Sequence, residues 1–133
     1  KKSVQEAAEQ LNKIGKGKAI GIEADVRSFD SQVAAVAAVM EKWGRLDLLV
    51  ANAGVGFFAP IDQLTLAQWQ ETIDTNLTGV FFSLKAGLDA LKESKGFFIS
   101  ISSLAGTNFF ANGSAYNASK FGVTGFTQAA MLD

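Results

Sequence analysis

LDLLVANAG, residues 46–54, is the stretch on which the fold turns. Leu46 to Ala51 is a short apolar run that stops at Asn52-Ala53-Gly54, where Asn and Gly both tolerate left-handed turn geometry. A run of this length bounded by a turn reads as a buried strand. The same signature recurs at Gly96 to Ser102, and a shorter version at Ala19 to Ala24. Between these runs the period changes. Val4, Ala7, Ala8, Leu11 and Ile14 follow helical spacing until Gly15-Lys16-Gly17 breaks it. Val33, Val36, Ala37, Met40 and Trp43 do so again, with Gly44 placed to cap the C-terminus. Thr65-Leu66-Ala67-Gln68 matches a capping box and predicts a helix running to about Leu91 with a break near Thr75, and a last helix opens at Ser114. Helices and unbroken apolar strands therefore alternate, which predicts an α/β fold with a doubly wound parallel sheet covered on both faces. No repeat, low-complexity segment or linker divides residues 1–133, which read as one domain or part of one.

The composition removes several classes of function. At 133 residues, with 48% apolar and 19% charged content, the chain has the size and balance of one domain able to bury a core. A net charge of -1 gives no overall pull toward nucleic acid or anionic lipid. The apolar runs fall far short of the ~20 residues of a membrane span. KKSVQEAAEQL at the start has basic residues but neither an apolar block nor a small-residue cleavage site, so a secretory signal is not read and a cytoplasmic location is expected. With no cysteine and no histidine, a disulfide framework, thiolate chemistry and a typical zinc site are all excluded, and no metal is expected. The chemistry must come from oxygen and amine groups.

Those groups gather in the second half of the chain. Tyr116 and Lys120, in SAYNASKFGV, are one helical turn apart, so a phenol and an ammonium project from the same helix face. A phenol is ordinarily a poor proton shuttle at neutral pH, and a fixed positive charge beside it favours the phenolate. Taken alone such a pair is common on half-exposed helices. Its significance comes from Ser103, thirteen residues before Tyr116, from Asn76, forty before it, and from the Asn52-Ala53-Gly54 turn.

Together with Ala24-Asp25-Val26, these residues resemble the short-chain dehydrogenase/reductase family in its single-domain form, in the family's order and close to its spacing. The resemblance implies a Rossmann-type domain, of which residues 1–133 are a part, and an oxidoreductase that moves a hydride between a nicotinamide cofactor and a carbonyl or alcohol substrate. By resemblance Asp25 contacts the adenine ring with the Val26 backbone beside it, and Asn52, Ala53 and Gly54 let the cofactor approach the backbone. Ser103 then donates to the substrate oxygen, where negative charge grows. Tyr116 delivers the proton, Lys120 holds the nicotinamide ribose hydroxyls, and Asn76 anchors a water linking Lys120 to solvent. Ser103 is preferred to Ser102 because the family's thirteen-residue spacing falls on it. The cofactor is NADP or NAD. Lys1 and Lys2, near the start of the helix that follows the family's second strand, lean the choice toward NADP. A homodimer or homotetramer is the expected assembly.

Departures from the family pattern shape the remaining expectations. The chain begins inside what resembles the family's third helix and stops inside the Tyr-Lys helix, so it reads as an internal segment without the glycine-rich phosphate loop. In the doubly wound order 3-2-1-4-5-6, it would supply only the third, fourth and fifth strands, leaving Ala19 to Ala24 separated from Leu46 to Ala51 and both edges unpaired. The Arg-Asp continuation of oxoacyl-carrier-protein reductases is missing after Gly54, so that substrate is one candidate among several. Phe57, Phe58, Phe109 and Phe110 flank the two loops and are open to two readings, an apolar substrate surface or core and subunit interface. Two other functions also stay open: an epimerase or dehydratase using the same Tyr-Lys pair, and a non-catalytic cofactor-binding interaction protein.

Overall fold

The computed structural model describes the backbone of residues 2–133 and the side chains of residues 4–133. Helix α1 (Lys2–Ile14) ends at the glycine break. Helix α2 (Phe29–Trp43) opens where the Ser28 side chain accepts from the Ser31 N–H, and closes on Gly44 at φ 70°. Strand β1 (Leu48–Ala51) follows. Helix α3 (Leu66–Ile73) starts on the reciprocal capping box of Thr65 and Gln68. It passes directly into a π-helical turn over Asp74–Thr78 and then into α4 (Gly79–Ser94), so the break expected near Thr75 is a widened turn and not an end. Strand β2 (Phe97–Ser100), a 3₁₀ turn (Leu104–Gly106) and helix α5 (Ser114–Ala130) complete the chain.

The two strands are parallel, with Leu48 opposite Phe97 and Ala51 opposite Ser100, and α4 makes the crossover that parallel pairing requires. Alternation along the pleat puts Leu49, Ala51, Phe98 and Ser100 on one face. There Ala51 joins Val80 of α4 and Val123 of α5 in the core, with Leu77, Phe98 and Phe126 packed around them. The Ser100 and Thr127 hydroxyls meet at 2.7 Å, fixing α5 against β2. Helix α2 lies against α4, where the Phe29 and Phe82 rings are 5.5 Å apart.

Two expectations are corrected. Ala19 to Ala24 forms no strand, because a strand exists only by pairing and no described strand lies beside it to complete a ladder. The segment is held by α1 instead: Ala19 N–H donates to Asn12 Oδ1 at 2.7 Å, and Asn12 Nδ2 donates to Ala19 O at 3.0 Å. The sheet is also not covered on both faces. Leu48, Val50, Phe97 and Ile99, on the face away from α4 and α5, are 44–73% exposed. Among the described residues, no helix is long and apolar enough to cross a membrane.

Candidate active site

Strand β1 delivers the chain into the Asn52–Gly56 loop, and one buried amide holds that loop. Asn76, in the π-helical turn, is fully buried. Its Oδ1 accepts from Val55 N–H at 2.8 Å, and its Nδ2 donates to Val55 O at 2.8 Å and to Ser119 Oγ at 3.0 Å. Ser119 Oγ in turn donates to Tyr116 O at 2.8 Å. Only an amide presents an acceptor and two donors in this way, so asparagine is what lets one side chain tie the loop to α5. Both Asn76 donors are thereby used, and a water anchored by this side chain would be held at its oxygen.

Strand β2 delivers the second loop. The Ser102 hydroxyl turns onto α5, 3.3 Å from Lys120 O and 3.1 Å from Thr124 Oγ1. A Cβ on Gly106 would lie 2.5 Å from Ser102 Oγ and 2.9 Å from Lys120 O, so glycine is what permits this close approach. Ser103 is exposed, and its Oγ accepts from Ala105 N–H at 3.1 Å, which leaves its O–H free to donate. Buried Asn117 pins the rest of the loop, donating to Ala105 O at 2.9 Å and to Asn108 O at 2.8 Å, with Phe110 N–H 3.4 Å from its oxygen. Reading the sequence missed Asn117 as a separate contributor. Its signal was an asparagine, a poor helix former, in the interior of the last helix beside Tyr116.

Helix α5 presents Tyr116 and Lys120 together. Lys120 Nζ lies 5.8 Å from the centre of the Tyr116 ring and donates to Ile101 O at 2.8 Å. The residue is only 4% exposed, and burial pushes its ammonium pKa below the ordinary lysine value. A hollow of about 410 Å³ opens here, lined by Asn52, Gly54, Phe58, Ile101, Tyr116 and Lys120 among others. A second hollow, of about 240 Å³, is lined by Val26, Ala51, Asn52, Ala53 and Thr75 among others, and Asn52 borders both. Val26 reaches this position because Gly79 opens α4: a Cβ there would sit 3.0 Å from Val26 Cγ2.

The structure thus brings Asn52, Gly54, Tyr116 and Lys120 around one hollow, with Val26 and Ala53 on the adjoining one and Asn76 behind them. Ser103 and Asp25 line neither. The Asp25 carboxylate is held by Arg27, whose Nε and Nη2 donate at 2.8–3.2 Å and whose N–H donates at 2.9 Å. Those hydrogen bonds from Arg27 hold the Asp25 pKa down at about 2. The side chains of Lys1 and Lys2, on which the lean toward NADP rests, lie outside the described residues.

A family profile described as short chain dehydrogenase matches residues 1–133. The trans-4-hydroxycyclohexanecarboxylate dehydrogenase of Sinomonas cyclohexanicum is 40% identical over 120 residues, covering 90% of this chain and 46% of that protein. The 3beta-hydroxysteroid dehydrogenase of Mediterraneibacter gnavus is 36% identical over 118 residues, covering 88% and 43%. Among solved structures, an alcohol dehydrogenase from the archaeon Thermococcus sibiricus complexed with 5-hydroxy-NADP superposes with a TM-score of 0.94 at 27% identity, over 98% of this chain and 56% of that one. The chain spans about half the length of the curated relatives it matches.

Proposed function

Because this chain belongs to the short chain dehydrogenase family, we propose that its residues form the catalytic part of a nicotinamide-dependent oxidoreductase interconverting an alcohol and a carbonyl compound. The observation that carries this reading is the Tyr116–Lys120 pair facing one hollow. The Lys120 ammonium is buried and has three donors, of which one meets Ile101 O. The other two suit the adjacent hydroxyls of a ribose, so the residues present fit a nicotinamide nucleotide. When bound, that group supplies or accepts the hydride.

The chain's own residues handle the proton and the charge. In the direction of reduction, the Tyr116 O–H gives its proton to the carbonyl oxygen as the hydride reaches the carbon, and solvent reprotonates the phenolate. The Lys120 ammonium, 5.8 Å from the centre of the Tyr116 ring, places a positive charge beside the phenol that must carry that negative charge. The exposed Ser103 hydroxyl, with its donor free, is suited to the oxygen of the substrate. The Ser102 hydroxyl is engaged with α5, which supports Ser103 over its neighbour. Val26, Asn52 and Ala53 border the hollow assigned to the rest of the cofactor, and Asp25, next to Val26 in the chain but outside that lining, is assigned to the adenine ring by family resemblance alone.

The cofactor favoured here is NADP, supported by the 5-hydroxy-NADP bound to the Thermococcus sibiricus protein. One relative is named for a hydroxycyclohexanecarboxylate and the other for a 3beta-hydroxysteroid, which makes ring-bearing secondary alcohols the first substrates to try. The test follows dihydronicotinamide absorbance in the intact protein with either cofactor and a panel of ketones. Cofactor oxidation in proportion to alcohol formed is expected, with tighter binding of NADP. Substrate conversion without net cofactor consumption would reject the oxidoreductase.

A further inference from the structure

We propose that Phe58, with Phe110 beside it, is the specificity-determining wall of the Tyr116 hollow and selects substrates whose reacting carbon belongs to an uncharged, apolar ring; this rests on the oxidoreductase reading above. The Phe58 ring meets the Tyr116 ring edge-on, with centres 5.5 Å apart and planes at 61°, and stands 5.9 Å from the Phe110 ring. It therefore touches the group that handles the proton, and it lines the same hollow. Its position is built by both loops. A Cβ on Gly56 would fall 2.9 Å from Phe58 Cζ, so the backbone leaves room for the ring. Asn112, at φ 64°, turns its carbonyl to accept from Ala59 N–H at 2.9 Å, tying the Phe58 loop to the Phe110 loop.

In spite of these restraints Phe58 is 60% exposed and Phe110 47%, an aromatic surface turned to solvent beside the reacting phenol. Covering it with a hydrocarbon ring removes apolar surface from water, and a ring does so without freezing the rotors of an open chain. Among the described residues Lys120 is the only charged one lining the hollow; one of its donors meets Ile101 O, and the reading above gives the other two to the ribose of the cofactor. A carboxylate next to the reacting carbon would lose water against phenyl rings and gain no cation.

The experiment compares cyclohexanone, butan-2-one and 2-oxobutanoate on the intact protein and on its Phe58→Ala, Phe58→Leu and Phe110→Ala variants. Affinity is read by ligand-observed NMR with cofactor present, alongside kcat and KM. Cyclohexanone should bind best and 2-oxobutanoate worst. Phe58→Ala should cut the preference for the ring roughly five- to tenfold through KM, Phe58→Leu less, and Phe110→Ala about half as much, with cofactor affinity and melting temperature unchanged. A ring preference that survives Phe58→Ala within twofold would overturn the proposal. So would an equal loss for all three ligands together with lower melting temperature, which marks a structural residue. Absence of turnover with every ketone would reject the oxidoreductase, whereas the binding comparison would still decide the role of Phe58.

Discussion

Asn12 and Asn76 make the same pair of hydrogen bonds in two very different places. Each amide closes on the N–H and C=O of a single distant residue, Ala19 for Asn12 and Val55 for Asn76. The first pair is exposed and joins α1 to a segment that forms no strand. The second belongs to a fully buried side chain that also reaches Ser119 and, through it, the backbone of Tyr116. The difference teaches where the rigidity of this molecule lies. The Tyr116 side is built from buried polar side chains, Asn76, Asn117 and Lys120, whose own polar atoms are shut away from water, and the side from Asn12 to Arg27 is built from exposed ones that are not.

The largest expected effect tests what the rigid side is for. Tyr116→Phe keeps the ring against Phe58 and removes only the hydroxyl, so turnover in the intact protein should fall ~10²- to 10⁴-fold with cofactor affinity and melting temperature nearly unchanged. A loss below about tenfold would mean that Tyr116 is not the proton donor. Lys120→Met sharpens the same side in a second way. It should weaken cofactor binding and lower kcat together, and yet raise the melting temperature at neutral pH, because a buried ammonium is removed. The sign follows from its pKa, which burial lowers from 10.5. Between the folded and the unfolded pKa the unfolded chain binds more protons, so the wild type gains stability as pH rises through that window and the variant's advantage should shrink there. An advantage that grows with pH would contradict a desolvated charge.

How much of this was legible in the sequence depends on how far apart the partners lie. The helix ends were readable because caps are local: Gly44 and the Thr65–Gln68 box are in place. The Tyr116–Lys120 pair was readable because one helical turn fixes both residues. Ala19 to Ala24 was misread because apolar content marks a candidate strand, but only a neighbour makes one. Asn76 could be singled out by resemblance, yet its grip on Val55 crosses 21 residues and has no local signature. Asn117 and Phe58 act through contacts between loops, which periodicity does not report.

The comparison of the two asparagines can be measured directly. Asn76→Ala strips three hydrogen bonds and leaves Val55 and Ser119 with unmet polar groups in or near the interior, so it should cost about 2–4 kcal/mol by chemical denaturation and lower kcat as the Asn52–Gly56 loop loosens. Asn12→Ala removes two bonds whose partners water can satisfy and should cost less than about 1 kcal/mol, with kcat unchanged. Equal costs would break the claim that burial, and not the number of bonds, separates the two regions.

The smallest effect belongs to the exposed Asp25–Arg27 pair. Its geometry is good, with three guanidinium contacts and a backbone N–H on one carboxylate, but both side chains are about half exposed. Pairs of this kind contribute little to stability because water and salt screen them. The Asp25 pKa lies below its ordinary 3.8, at about 2, so whatever the pair adds is complete above the ordinary value and is lost as pH falls toward 2. Arg27→Ala should therefore leave the melting temperature at neutral pH almost unmoved, and its signature should be spectroscopic. Between pH 5 and pH 3, values spanning the ordinary titration of an aspartate near 3.9, the Asp25 carboxyl carbon resonance should stay nearly still in the wild type and shift in the variant. If Asp25 also serves the adenine end of the cofactor, the variant frees its carboxylate from Arg27, and NADP affinity should change by a few-fold at most. A drop as large as that of Lys120→Met would show that the exposed side of the molecule carries cofactor binding as strongly as the buried side, which its hydrogen-bond pattern argues against.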